Sequence, residues 1–138
     1  MTWLLYAFLS AGAAALTAIL AKIGVEGVPS TLATAVRTLV VVVFAWLAVV
    51  VLNEHRAIAL VSRRSLTFLV LSGLATGLSW LAYFRALQLA PASRVAPIDK
   101  LSLPLTIALA VIFLGEPLGW RVAAGVGLMT IGALLTLS

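Results

Sequence analysis

Acidic charge is what this chain has least of. Four residues are Asp or Glu, and nine are Lys or Arg. The acids, Glu26, Glu54, Asp99 and Glu116, are spread along the sequence. They form no cluster of the kind that membrane transferases use to hold magnesium at a lipid headgroup. Cysteine is absent, which excludes disulfides, thiolate metal ligands and a cysteine nucleophile. His55 is the single histidine and has no second ligand nearby in sequence, so no metal site is expected. Neither HExxH nor the phosphate-cradling GxxxxGK[ST] occurs. No catalytic constellation is left, and the chain is expected to be neither an enzyme nor the holder of a cofactor. The net charge of +5 does not imply a nucleic-acid partner, because the basic residues are scattered among apolar runs and not gathered on one polar face.

What remains is hydrocarbon. Hydrophobic residues make up 64% of the chain, charged residues 9%, and the mean hydropathy is +1.23. A soluble domain is about half apolar and about a quarter charged. The composition therefore implies an all-α polytopic membrane protein, a single transmembrane domain over residues 1–138. Five apolar runs are long enough to cross a core of about 30 Å. They cover residues 3–21, 30–52, 66–87, 94–114 and 120–137. Short turns separate most of them, so neighbours in sequence are expected to pack antiparallel. Residues 53–65 hold Glu54, His55, Arg56, Arg63 and Arg64 and are the most polar stretch. No cleaved signal peptide is expected, since the first run lacks a basic leader and is long enough to span. Glu116, in Gly115-Glu116-Pro117, is expected to start the fifth helix.

Five spans put the two termini on opposite sides. With the N-terminus inside, Arg56, Arg63, Arg64 and Arg121 are cytoplasmic, while Lys22, Arg85 and Arg94 lie outside. That is a narrow margin, and it permits insertion in both orientations. Small residues recur at helix-packing spacing: Ser10, Ala14 and Ala18 in the first span, Gly73 and Gly77 in the third, Ala123 and Gly127 in the fifth.

Polar residues inside the spans fall on helical faces. The first span aligns Tyr6, Ser10 and Thr17; the second Thr34, Arg37 and Thr38; the third Ser72, Thr76, Ser79 and Tyr83, with Trp80 beside them. The fourth aligns Asp99, Ser102 and Thr106, with Lys100 turned about 100° away. Hydroxyls alone prove little, because each can bond the carbonyl one turn earlier. The charges say more. Pro97-Ile98-Asp99-Lys100-Leu101-Ser102-Leu103-Pro104 places an acid, a base and a hydroxyl between two prolines inside an apolar run. Ionisable groups at membrane depth are costly and normally mark a polar pathway. Pro97 and Pro104 are expected to bend the helix there. Arg37 lies seven residues into the second run, where it serves either a structural ion pair or a substrate-facing or gating role. Asp99 is its natural partner by charge and depth, and Lys100 of a neighbouring copy is a rival partner for Asp99. Trp80, Tyr83 and Phe84 form an aromatic cluster that packs the interior or an interfacial belt, or else lines a pocket or holds a cation over a ring.

The later spans carry a family signature. Ala86-Leu87, Ala90-Pro91-Ala92-Ser93, Val95-Ala96-Pro97-Ile98, Leu101, Pro104 and Phe113-Leu114-Gly115-Glu116-Pro117-Leu118 resemble the EamA-type branch of the drug/metabolite transporter (DMT) superfamily, and Lys22 and Arg37 fit the same pattern. The resemblance implies ten spans built as two inverted five-span repeats around a central cavity. This chain has the length of one repeat. The resemblance then implies a homodimer of oppositely inserted copies, each supplying half of an inverted-repeat transporter. The small multidrug resistance proteins are similar short relatives with an essential acid in the first span; here Asp99 is the only acid within a span.

The resulting expectation is a small transporter of the cell inner (plasma) membrane that moves a small metabolite or drug-like solute by alternating access. Its partners are the solute, the lipid bilayer and a second copy of itself. Arg37, Asp99 and Lys100 form the expected charged centre, with Trp80, Tyr83, Ser102 and Thr106 as further contacts. Two alternatives stand beside it: a flippase for a lipid-linked phosphate carrier, and a membrane assembly subunit without transport activity.

Overall fold

The computed structural model describes residues 2–137. All regular structure among them is helical, with no strand. Helix α1 is Thr2–Gly24, α2 is Ser30–Val51 and α3 is Arg63–Leu89; a 3₁₀ turn, Glu54–Leu60, joins α2 to α3. Then come α4 (Ala92–Asp99), α5 (Ser102–Leu109), a π-helical turn (Ala110–Leu114) and α6 (Trp120–Leu135). α1, α2, α3 and the stretch Ala92–Leu114 are each long and apolar enough to cross a bilayer. α6 is apolar but has only 16 residues, about 24 Å of helix. The protein is therefore a multi-pass membrane protein with four full-length apolar helical stretches and one shorter helix.

Local sequence explains where the helices stop. α1 ends in a turn in which Gly27 takes φ +71°, a conformation glycine adopts without a Cβ penalty. Pro29 follows, and its fixed φ of −54° leads into α2. α2 contains the run Val40-Val41-Val42-Val43. In water, β-branched residues disfavour helix slightly. In hydrocarbon every amide must bond within its own segment, and that demand outweighs the propensity. Asn53 closes α2 at φ +57°, a left-handed position that asparagine tolerates better than most residues.

The fourth apolar run is interrupted. Pro97 and Pro104 each lack an amide hydrogen. Between them, Lys100 and Leu101 leave the α-helix, and the amides of Leu101 and Leu103 donate to the carbonyls three residues back, Ile98 and Lys100, at 3.0 Å each. The Lys100 carbonyl, which a non-proline residue 104 would have engaged, takes Leu103 instead. Further along, Gly115 at φ +67° and Glu116 both turn their amides onto the Ala110 carbonyl, closing the wide π turn. Glu116 does not start the last helix, contrary to the sequence expectation. Residues 115–119 are non-helical and α6 begins at Trp120. Pro117 accounts for this, because the residue before a proline is pushed out of the α region.

The chain forms two compact units, Leu20–Leu89 and the combination of Met1–Ile19 with Ala90–Ser138. In the first, α2 packs along α3 and the 3₁₀ turn packs on α2. Its core gathers at one end, where Ala21, Val25, Thr34, Phe84 and Leu87 are buried. In the second, α6 packs on α4 and α5, with Ala133 buried. Most large apolar side chains face outward; Phe44 is 72% exposed and Leu69 64%. An outward apolar surface of that extent is what lipid covers.

Candidate functional site

Three helix ends meet in the unit Leu20–Leu89. The Lys22 ammonium, at the end of α1, donates to the Leu87 carbonyl near the end of α3 at 2.6 Å. The Gln88 amide donates to the Val28 carbonyl, just before α2, also at 2.6 Å. Arg85 donates to the Gln88 side-chain oxygen at 3.0 Å. These bonds hold the end of α1, the start of α2 and the end of α3 at one level. Polar groups cluster there because helix ends leave carbonyls without intrahelical donors.

Arg37 lies beyond this clamp, about 10 Å along α2 from Ser30. Its guanidinium carbon sits 4.0 Å from the centre of the Trp80 ring and 5.6 Å from that of Phe84. Tyr83 meets Phe84 edge-on, with centroids 6.4 Å apart. Trp80 and Phe84 are one turn apart on α3 and so share a face. Trp80 lies about 12 Å along α3 from Gln88. The guanidinium is thus held at roughly its own backbone's depth and does not reach out to the interface.

Within this unit Arg37 has no carboxylate partner among the described residues, whose acids are Glu26 and Glu54. An arginine in the middle of a span costs about 3 kcal/mol by insertion scales. A partly buried cation–π contact returns about 1.5 kcal/mol. The balance favours a polar medium or an anion at the open edges of the guanidinium. The neighbouring hydroxyls do not fill that role. Thr34 donates to the Ser30 carbonyl at 2.8 Å and Thr38 to the Thr34 carbonyl at 2.7 Å.

The remaining expected site residues lie together in the other unit. Asp99 and Lys100 form an ion pair at 3.7 Å, at the break between α4 and α5. Its two side chains are 37% and 55% exposed. Thr106 donates back to the Ser102 carbonyl at 2.8 Å, and both residues are exposed. Arg37 and Asp99, matched by charge and depth in the sequence, each have a partner inside their own unit. The structure thus brings Arg37, Trp80 and Tyr83 into one group, and Asp99, Lys100, Ser102 and Thr106 into another between and around Pro97 and Pro104. The clamp through Leu87, Gln88 and Val28 is a feature that the residue pattern did not reveal. Its signal was positional: Lys22 and Gln88 each close an apolar run, and antiparallel packing puts those two ends on one face.

The family model described as the EamA-like transporter family matches residues 1–138. The chain belongs to that family. A protein of Sinorhizobium sp. named "Uncharacterized transporter in cobO 3'region" is 46% identical over 134 residues, covering 97% of this chain and 95% of its own length. No solved structure matches. The EamA-type branch of the DMT superfamily, which the fourth and fifth apolar runs resemble, is therefore the family of the whole chain. A membrane-depth arginine backed by an aromatic wall thus sits in a transporter of that family.

Proposed function

We propose that this EamA-family transporter carries a small metabolite or drug-like solute across the inner membrane by alternating access, with five spans per copy, as an antiparallel homodimer. The observation that carries the reading is Arg37, stacked on Trp80 at 4.0 Å at membrane depth without a carboxylate partner in its unit. Membrane proteins rarely keep such a charge without a task. The family and a relative named as a transporter support transport over an enzymatic role. In this reading Trp80 and Tyr83 line the path beside Arg37. Asp99, Lys100, Ser102 and Thr106 contribute a second polar patch where Pro97 and Pro104 weaken the helix. The bonds Lys22 to Leu87 and Gln88 to Val28 close one end of the bundle, and they are the contacts that opening on that side must break.

The dimer rests on the single-repeat length, shared by a relative covered to 95%, and on the narrow charge margin between the loops. Gly73 and Gly77 give α3 a small-residue face of the kind on which helices of two copies approach closely.

Purified protein reconstituted in vesicles tests the reading with a panel of radiolabelled amino acids, organic acids and cationic dyes. Saturable uptake of at least one class, lost in Arg37→Ala and Asp99→Asn at unchanged insertion, is the expected result. Absence of flux for the whole panel, with stable co-purification of another membrane protein, would replace transport with an assembly role.

A further inference from the structure

The Arg37 environment restricts what can occupy it. A guanidinium is a flat fork with five N–H donors in its plane and no acceptor. Here the guanidinium carbon lies over the Trp80 ring, 4.0 Å from its centre. No hydrogen bond among the described residues uses any of its donors. None of its nitrogens is sealed from the surroundings without a partner, so the edges are reachable as well as unused. The charged groups of the clamp on the same unit, Lys22 and Arg85, are both basic, so the clamp brings no carboxylate to Arg37. The hydroxyl protons of Thr34 and Thr38 are turned onto backbone carbonyls, so they do not compete for an anion and do not replace one. The walls, Trp80, Tyr83 and Phe84, are aromatic.

We propose that Arg37, seated over the Trp80 ring, is the receptor for the anionic head, a carboxylate or phosphate, of a small organic solute whose body rests on the aromatic wall. The inference rests on the transport reading and narrows its cargo to organic anions, setting aside cationic drugs. Guanidinium edges match carboxylate and phosphate oxygens two at a time, and the contact with Trp80 limits the freedom of the guanidinium beforehand. Trp80 is then a positioning residue that acts through Arg37.

The test uses the full chain with Trp3, Trp46 and Trp120 changed to Phe, which leaves Trp80 as the only tryptophan. In phosphatidylcholine nanodiscs its fluorescence is titrated with benzoate, phenyl phosphate, benzamide and benzylamine. The expected result is a saturable response to one or both anions, at least tenfold weaker for the neutral amide and the amine. Arg37→Lys keeps the charge without the fork and should weaken anion binding three- to tenfold. Arg37→Ala should abolish it in protein that still elutes as a single species. Equal responses to benzoate and benzamide, or anion binding that survives Arg37→Ala, would overturn the proposal. Repeating the benzoate titration in discs with phosphatidylglycerol separates the sources of the anion. Unchanged affinity is expected for a soluble solute, and competitive loss would overturn that and assign the site to a lipid phosphate. The two readings fail separately. Flux with no preference for anions removes this inference and leaves transport standing, whereas anion binding without flux does the reverse.

Discussion

Replacing Arg63 and Arg64 by alanine tests whether the chain inserts both ways. Both lie in the first turn of α3, fully on the surface, and no hydrogen bond or ion pair among the described residues uses their side chains. The Thr67 hydroxyl bonds to the Arg63 carbonyl, which alanine retains. The substitutions therefore change charge and leave packing alone. Lys22 and Arg85, on the other face, are less clean handles, because both hold the clamp. Basic residues favour the anionic cytoplasmic leaflet by about 1 kcal/mol each. Removing two takes about 2 kcal/mol from the N-inside orientation, and 1.4 kcal/mol is a factor of ten. A near-even mixture should shift to about thirty to one with the N-terminus outside. The absence of cysteine makes the assay direct: one cysteine is added at either terminus and labelled in intact cells with an impermeant maleimide. The N-outside form should not transport when expressed alone, and should regain activity when co-expressed with an N-inside form made by adding lysines to residues 53–65. A single orientation in the parent chain, or full activity of the shifted form by itself, would refute the antiparallel homodimer.

Four further outcomes are expected. Trp80→Ala should raise the half-saturating solute concentration about tenfold, from loss of a stack worth about 1.5 kcal/mol, while Trp80→Phe should cost a few-fold; equal effects in concentration-dependent uptake would argue against stacking. Lys22→Met removes a charge-assisted bond of 2.6 Å and should cost about 2 kcal/mol, read as a lower thermal midpoint in detergent; an unchanged midpoint would show that the clamp carries no stability. Asp99→Asn keeps shape and loses the pair with Lys100, so insertion should stay intact and flux should fall to background; normal flux would remove Asp99 from the site. Thr130→Val should leave flux unchanged and alter the thermal midpoint by less than about 0.5 kcal/mol equivalent, since its hydroxyl bonds only the Val126 carbonyl of its own helix; a loss of flux would assign it a contact beyond that helix.

Composition and period settle much of this protein without any structure. Twenty-residue apolar runs can satisfy their amides only as helices, so the helices follow from hydropathy alone, with ends displaced by a few residues. Proline and glycine act locally, which is why the break near Asp99 and the left-handed turn at Gly27 follow from residue types. The motif order around Ala90-Pro91-Ala92-Ser93 and Gly115-Glu116-Pro117 is likewise a property of the line of residues, and the family match confirms it. What sequence could not decide is which groups meet. Charge and depth mark Arg37 and Asp99 but carry no direction around a helix axis. The packing of α2 on α3 puts Trp80 and Phe84 within reach of the guanidinium. The clamp depends likewise on three helix ends meeting on one face. Lys22 and Leu87 are 65 residues apart in the chain, and only tertiary packing gives that ammonium its carbonyl.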